Sequence, residues 1–320
     1  MTVITEDVIV GGLHRVTLDN GMVRARFLPE IGGKMTSLVR ISSGHEFLLQ
    51  PQRPLRRPTY GDPFEAFDTS GFDECLPTVS ACRDPTSGQL LPDHGELWSV
   101  YWQVRISSEQ LCLSASGRVL PYRLTKTVRL ESQDVVIDYE LVNESDSEIK
   151  FLWSAHPLLA VEPGSKIVLP AEVKEVLVNY SLNDRLGKFG DRCYWPVAEA
   201  RGVSRRLDIL APPTAGFADK VFTGGLTEGN CSFLKPASSE SISFLFDSMT
   251  VPYIGLWICQ GGWPDPSHGH YTAALEPCSG RPDSLCEAIA RGENDLLRPG
   301  STKNWSLRLR VQQIDQQRFC

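Results

Sequence analysis

The sequence lacks the short motifs that mark most nucleotide-binding enzymes and serine hydrolases. It contains no GxSxG nucleophile elbow, no GxxxxGK[ST] phosphate-binding loop and no GxGxxG run after a predicted strand. Each of these motifs holds a nucleophile or a phosphate at a strand-to-helix turn. The sequence therefore gives no indication of a nucleotide cofactor or of a serine nucleophile.

Positive charge is also scarce. The 32 Lys and Arg are outnumbered by 39 Asp and Glu, which gives a formal net charge of -7. The only basic cluster, Arg53, Arg56 and Arg57, is typical of a solvated loop face. Because a nucleic-acid-binding surface needs clustered Lys and Arg to neutralise phosphates, we expect no nucleic-acid partner.

Long apolar runs and cysteine motifs are missing as well. The most apolar stretch, 151–161, is broken by Ser154, His156 and Pro157 and is too short to span a bilayer. The start, MTVITEDVIVGG, has neither the basic nor the apolar region of a secretory signal. Nine irregularly spaced cysteines without a CxxC pair favour free thiols over a disulfide framework or a zinc ribbon. We therefore expect a cytoplasmic protein that does not contact a membrane.

Apolar side chains repeat with a period of two along much of the chain. Such alternation buries one face of a strand and leaves the other in polar surroundings, as in antiparallel sheets. The turn Asp19-Asn20-Gly21 and the polar stretch 131–134 separate runs that we predict to pair as hairpins. The alternating runs are 15–28, 111–119, 125–143, 241–247 and 305–311.

Helical signals are few. Ser284 and Glu287 form one capping-box pattern, which predicts a helix that ends by Gly292. The 26 Gly and 22 Pro fit many tight connections. The pattern predicts an all-β fold, a large antiparallel β-sandwich with few short helices.

Two segments do not fit the strand pattern, at about 51–93 and 181–220. Long irregular loops inside a compact domain are uncommon and often functional, so we expect both to wall a pocket on a sheet face. The sequence has no internal repeat, low-complexity tract or flexible linker. We therefore predict a single domain over 1–320.

Three residues could carry acid–base chemistry. His94, in LPDHGELW, is either a turn histidine entering a strand or a site residue that Asp93 orients, with Gly95 letting a ligand approach the backbone. His156 is followed at once by Pro157, which is typical of a strand end or edge, where a histidine can face a pocket. Glu276, in YTAALEPCSG, is either an ordinary strand-end glutamate or a buried general base with a raised pKa.

Two alternative sites are weaker. His268 and His270 with Glu276 suggest the set of metal ligands in a cupin barrel. However, Pro264 and Gly269 favour a turn around the two histidines, and the sequence gap from His270 to Glu276 is longer than in the cupin pattern. A glycosidase pair could involve Asp73, Glu74 and Glu276. Adjacent carboxylates on a loop are more often solvated or bind calcium or hydroxyl groups. We therefore predict no metal.

Three of these segments, in this order, resemble the aldose 1-epimerase (galactose mutarotase-like) family. The family has a histidine in a His-Gly context, a second histidine at a mid-chain strand end and a glutamate in a Leu-Glu-Pro context. His94 in DHGELW, His156 in AHPLL and Glu276 in ALEPCSG match them. Further similarities cover nearly the whole chain: LDNGMVRARFLPEIGGKMTSLV, GFDECLPT, YIGLWICQGGW and LRPGSTKNWSLRL.

The resemblance implies a supersandwich whose open cleft binds a pyranose, without a cofactor. It implies that Glu276 is the base for the anomeric hydroxyl, that His156 protonates the ring oxygen, and that His94 assists. The reaction is then the interconversion of the α and β anomers of a sugar. The substrate-binding residues that it suggests are Asp73, Glu74, Trp153, Asp219 and Trp257.

The chain also departs from the family. The galactose-specific branch has arginine and asparagine before its first histidine, whereas this chain has the acidic stretch FDTSGFDECLPT. The hexose-6-phosphate branch uses arginines for phosphate, which Asp73 and Glu74 would repel. We therefore expect a neutral sugar as the partner. Two alternatives stay open: a carbohydrate-binding protein without turnover, and a sugar-phosphate mutarotase. The sequence does not indicate the oligomeric state.

Overall fold

Strands make up most of the regular structure in the computed structural model, which describes residues 1–265 and 269–314. The first half of the chain contains β1 (Val3–Ile9), β2 (Leu13–Asp19), β3 (Val23–Leu28), β4 (Lys34–Arg40), β5 (His45–Glu46), β6 (Phe72–Cys75), β7 (Cys82–Arg83), β8 (Leu90–Leu91), β9 (Gln103–Ile106), β10 (Leu111–Ser116), β11 (Tyr122–Glu131), β12 (Asp134–Asn143), β13 (Ile149–Phe151) and β14 (Ser154–Ala160).

The second half contains β15 (Lys166–Val168), β16 (Glu175–Ser181), β17 (Arg192–Tyr194), β18 (Val197–Ala200), β19 (Val203–Arg206), β20 (Phe217–Phe222), β21 (Asn230–Lys235), β22 (Glu240–Phe246), β23 (Tyr253–Gln260), β24 (Tyr271–Cys278), β25 (Asp295–Leu297) and β26 (Thr302–Gln313). The helix α1 spans Leu285–Arg291, and single 3-10 turns lie at Pro29–Ile31, Phe64–Ala66, Leu182–Asp184 and Pro213–Ala215.

The smaller of two large antiparallel sheets has eight strands in the order β15-β21-β22-β26-β12-β11-β10-β9. Its strands keep the predicted alternation. On β26, Leu307 and Leu309 are fully buried between the sheets, while Ser306 and Arg310 face outward. This sheet therefore has one apolar and one polar face, and the predicted hairpin between β11 and β12 is confirmed.

The larger sheet has twelve strands in the order β1-β2-β3-β4-β6-β14-β24-β23-β20-β16-β17, with β5 added to β4. The hairpin of β2 and β3 forms at the predicted Asp19-Asn20-Gly21 turn. Near its centre, β14 and β24 are buried on both faces. One face packs on the smaller sheet, and the other is covered by loops. The predicted large antiparallel β-sandwich is confirmed.

The prediction of an irregular segment at 51–93 is partly wrong, because it contains β6, which is a strand of the larger sheet, and the short pair β7–β8. Other parts of this segment lie on the outer face of that sheet, as predicted. Arg53 and Arg56 fasten this loop by donating hydrogen bonds to the backbone carbonyls of Glu65 and Ala66. The prediction of an irregular stretch at 181–220 is partly wrong, because it contains β17, the β18–β19 hairpin and the start of β20. Strands of three or four residues are too short for their alternation to stand out in the sequence.

The predicted short helix is present as α1. It starts after Ser284 and ends at Gly292, whose left-handed φ of 67° suits glycine. The Ser284 side chain makes no capping hydrogen bond, so the expected capping box is not formed. None of the helices in the described segments is long and apolar enough to cross a membrane.

Candidate functional site

A cleft of about 360 Å³ lies on the outer face of the larger sheet. Its floor comes from β14, β16, β20, β23 and β24, and its rim from the loop 64–94 and the segment after β23. This volume falls within the range of about 300–1,000 Å³ that is usual for small-molecule sites. Its lining residues include His94, His156, Asn179, Lys220, Trp257, Trp263, Thr272 and Asp283.

Strand register sets a row of three ionisable side chains below this cleft. His156 on β14 is paired with Asp73 on β6. The pairs Ser154–Cys278 and Leu158–Ala274 place His156 opposite Glu276 on β24. Residues opposite one another in adjacent strands point to the same face, so all three side chains face outward. The Nε2 atom of His156 lies 3.9 Å from Oε1 of Glu276.

His94 enters the site from the loop. Its φ of 59° is left-handed, which is uncommon for a residue other than glycine and is concentrated at functional sites. The ring stacks on Phe64, with centroids 3.9 Å apart, and lies 4.9 Å from the ring of His156. The Nδ1 atom is 3.0 Å from the Asp93 carboxylate. The Asp93 carboxylate thus lies beside the His94 ring, but Nδ1 has no hydrogen-bond partner among the described residues, and the orientation of His94 by Asp93 stays a prediction.

Gly95 has a different role from the one predicted. The sequence suggested that its missing side chain lets a ligand approach the backbone. Instead, a Cβ here would lie 2.3 Å from the Leu76 carbonyl oxygen, because the two backbones pair at this point. Gly95 therefore allows the loop that carries His94 to pack against the end of β6.

Lys220 on β20 forms an ion pair with Glu276, and its ammonium group is also 3.3 Å from the Asp283 carboxylate. Asn179 donates a hydrogen bond of 2.8 Å to the other oxygen of Asp283. Glu276 has no exposed surface, since Lys220 and His156 cover it from the cleft. Oε1 of Glu276 and Oδ1 of Asp283 have no hydrogen-bond partner among the described residues. The floor thus holds carboxylate oxygens that can still accept hydrogen bonds.

A second buried lysine lies on the other side of His156. The Lys34 ammonium group is 2.6 Å from Asp68 and 3.2 Å from Asp73. Burial raises the pKa of Asp73 to about 6, and the charge of Asp68 adds to this, although Lys34 opposes it. His156 therefore lies between two groups that each combine one lysine with two carboxylates.

Burial also sets the protonation of the other two residues in the row. It raises the pKa of Glu276 above its usual range, with Lys220 opposing and Asp283 reinforcing the shift. It lowers the pKa of His156 well below the usual value, and the positive charges of His94, Lys220 and Lys34 lower it further. His156 is therefore neutral near pH 7, which suits a hydrogen-bonding residue better than a stored proton.

Aromatic rings form one wall of the cleft. Trp257 on β23 lies edge-on to Trp263, with centroids 6.0 Å apart, and Tyr180 is on its other side at 6.2 Å. Trp257 is half-buried, so part of its surface stays open to the cleft. Such rings provide apolar contact area next to polar groups that fix orientation, a usual composition for a ligand site. Trp257 thus lies where the sequence placed it, at the cleft.

Three other residues predicted to bind substrate lie away from the cleft. Glu74 is fully buried between the sheets, where it accepts hydrogen bonds from Tyr139 and from Nε1 of Trp153. Asp219 accepts a hydrogen bond of 2.6 Å from Ser181 and pairs with Arg185. Successive strand residues point to opposite faces, so Asp73 and Lys220 face outward while Glu74 and Asp219 do not. Substrate contact by Glu74, Trp153 and Asp219 is not supported by this placement.

The sequence reasoning missed Lys220, Asp283 and Asn179. Lys220 could have been found, because FADKVF is a strand pattern in which a lysine occupies an apolar row. Asn179 lies at a β-bulge, where the pairing of β16 with β20 shifts between Val178 and Tyr180. An extra residue in a strand re-aims side chains, and no local signal in the sequence predicts it.

The alternative metal site was predicted from His268 and His270. His268 lies outside the described residues. Nδ1 of His270 is 3.4 Å from the Thr69 hydroxyl, at the rim of the cleft. Within 1–265 and 269–314, no group of three His, Cys, Asp or Glu side chains has a geometry that could hold a metal ion.

Solved structures share this architecture. A candidate aldose 1-epimerase from Klebsiella pneumoniae has a TM-score of 0.73 at 12% identity, covering 98% of this chain and 84% of its own. One from Escherichia coli K12 has a TM-score of 0.69 at 16% identity, covering 98% and 100%. A galactose mutarotase-like protein from Lactobacillus casei has a TM-score of 0.67 at 18% identity, covering 93% and 100%.

At these identities, the likeness shows the fold. The chain has the galactose mutarotase-like fold that its sequence resemblance implied. No protein-family model matches the sequence, and no curated protein matches it significantly.

Proposed function

We propose that this protein is a cofactor-independent aldose 1-epimerase that interconverts the α and β anomers of a neutral sugar. The observation that carries the proposal is that His156 and Glu276 lie in register on one sheet face. His94, which itself has a left-handed φ, lies beside His156 in the loop above them. The row lies at the floor of a cleft with an aromatic wall. This combination suits a ring that needs one proton removed and another supplied.

The proposed chemistry begins at the anomeric hydroxyl. Glu276 accepts its proton, and the ring oxygen takes a proton from the histidine pair, so the bond between the anomeric carbon and the ring oxygen breaks. The open-chain aldehyde then rotates and closes on its other face. A positioned acid or base contributes about 10²–10⁴-fold each, which is adequate because mutarotation already proceeds in water.

The two histidines divide the work on the acid side. His156 is neutral near pH 7 and acts as a hydrogen-bonding partner across from Glu276. The His94 ring lies 4.9 Å from that of His156 and has the Asp93 carboxylate 3.0 Å from its Nδ1 atom. We therefore assign proton delivery to His94 together with His156, instead of to His156 alone.

The charges around the cleft support a neutral substrate. Both buried lysines are already engaged with carboxylates: Lys34 with Asp68 and Asp73, and Lys220 with Glu276 and Asp283. Each lysine therefore has more negative than positive charge beside it. A sugar phosphate would be repelled by this excess of negative charge, whereas a neutral sugar would not.

Polarimetry on freshly dissolved α-anomers of a panel of sugars tests the proposal. We expect Glu276→Gln to lower the enzymatic rate by about 10²–10⁴-fold, because it removes the base while keeping the shape of the side chain. Glu46→Gln is the matched control, since Glu46 is half-buried with a raised pKa but lies outside the cleft lining. Equal rates in the wild type and in Glu276→Gln would contradict the assignment.

A second function is favoured by one observation. Glu276 is covered by Lys220 and has no exposed surface, which fits a carbohydrate-binding protein that has no turnover. Calorimetry with the same sugars separates the two functions. Binding without any rate above buffer across the panel would establish the second function and reject the first.

A further inference from the structure

We propose that Lys220 is a positioning residue of the cleft, whose ammonium group holds the Glu276 carboxylate ionised while Asp283 draws the same ammonium group away from it. This inference rests on the proposed role of Glu276 as the base. It adds a residue to the two histidines and the glutamate that the sequence resemblance implies.

The contacts of Lys220 support this role. Its side chain is only 5% exposed, and it pairs with Oε2 of Glu276 and lies 3.3 Å from Oδ1 of Asp283. Asp283 is itself fixed, because Asn179 donates to its Oδ2 atom. Its backbone carbonyl also accepts hydrogen bonds from the amides of Val79 and Ser80. The ammonium group is thus shared between two carboxylates that are each held in place by the fold.

The strand between Lys220 and Glu276 leaves room for their contact. Gly255 on β23 is opposite Glu276 in the register, and a Cβ at this position would lie 3.2 Å from Oε2 of Glu276. It would also lie 3.0 Å from the Phe222 ring. With no side chain at Gly255, Lys220 on β20 can reach across β23 to β24.

The groups that face Glu276 come from every neighbouring element. The thiols of Cys75 and Cys278 have pKa values raised by burial, so they stay neutral through the neutral range. His156 is also neutral there. The groups that remain are Lys220, Asp283 and the His94 ring. Lys220 and His94 favour the ionised form of Glu276, and Asp283 disfavours it.

Two substitutions should therefore move the titration of Glu276 in opposite directions. Lys220→Met removes the adjacent cation and should raise the midpoint by about one pH unit or more, the usual effect of an opposite charge at this range. Asp283→Asn removes a like charge and leaves Lys220 to Glu276 alone, so the midpoint should fall. Lys220→Arg keeps the cation and should stay close to the wild type.

The experiment measures this titration directly. The side-chain carboxyl carbons are labelled in full-length protein with ¹³C-glutamate, and the Glu276 signal is identified by its loss in Glu276→Gln. Its chemical shift is then followed against pH in the wild type and the three variants. Where the protein is active, the acidic limb of kcat/KM for mutarotation should move in the same directions.

The outcomes separate the two proposals. Equal Glu276 midpoints in the wild type, Lys220→Met and Asp283→Asn would overturn the role of Lys220, even in an active enzyme. Opposite shifts in a protein that mutarotates no sugar would support the role of Lys220 and overturn the proposed function alone. If Lys220→Met does not fold, Asp283→Asn decides: a lower midpoint supports the inference, and an unchanged one overturns it.

Discussion

Asp73 should make the stability of this protein fall as the pH rises from about 4 to 7. Its carboxylate is fully buried between Lys34, His156 and the end of β6, and neither oxygen has a hydrogen-bond partner among the described residues. Burial raises its pKa from 3.8 to about 6. We therefore predict that Asp73→Asn, which mimics the protonated acid, changes the pH dependence of unfolding.

The sign and size follow from linkage. A carboxyl group whose folded pKa lies above its unfolded value stabilises the fold below the unfolded pKa, and this contribution is lost as the pH rises through the folded pKa. A rise from 3.8 to about 6 corresponds to about 3 kcal/mol, at 1.36 kcal/mol for each pH unit. Relative to the wild type, Asp73→Asn should gain about this much unfolding free energy between pH 4 and 7.

Loss of the ion pair does not obscure this difference. Lys34 keeps Asp68, 2.6 Å away, in both proteins. At pH 4, Asp73 is protonated in the folded wild type, so the two proteins then have nearly the same charges around Lys34. The change with pH therefore isolates the ionisation of Asp73.

Urea denaturation, followed by tryptophan fluorescence at several pH values from 4 to 7.5, measures the effect. Asp93→Asn is the control with the opposite sign, because the neighbouring His94 helps to lower the pKa of Asp93 from 3.8 despite partial burial. Its stability relative to the wild type should decline only at the acid end of this range and stay level above about pH 5. Parallel curves for Asp73→Asn and the wild type would refute the reasoning.

Two further substitutions test the cleft itself. Gly255→Ala should lower the free energy of unfolding by about 1–3 kcal/mol and reduce mutarotation, because its Cβ would press on Phe222 and Glu276. Thermal unfolding and polarimetry measure the two effects. The control is Gly224→Ala, where a Cβ meets nothing within 4 Å. Equal effects at the two glycines would contradict this packing. Trp257→Ala should raise KM about tenfold with little change in kcat, since the ring offers contact area and takes no part in proton transfer; a loss confined to kcat would argue against a binding role.

The sequence determined the strands that alternate cleanly. The β11–β12 hairpin, the turn at Asp19-Asn20-Gly21 and the short helix before Gly292 all follow from side-chain patterns within a few residues. The sequence context of Glu276, His156 and His94 also pointed to one site, and the fold brings these residues together. Local patterns suffice for these strands because one face of each is exposed to solvent and the other is buried.

Tertiary structure alone decided which neighbours take part in the site. In β6 and β20 both faces are buried. Period-two alternation puts Asp73 and Glu74 on opposite faces, and likewise Lys220 and Asp219. It does not indicate which residue of each pair faces the cleft. Asp283 and Asn179 reach the site through loop packing and a β-bulge, which depend on contacts far apart in the chain. The sequence therefore predicted a glutamate with two histidines, and the register of the larger sheet placed a lysine beside that glutamate.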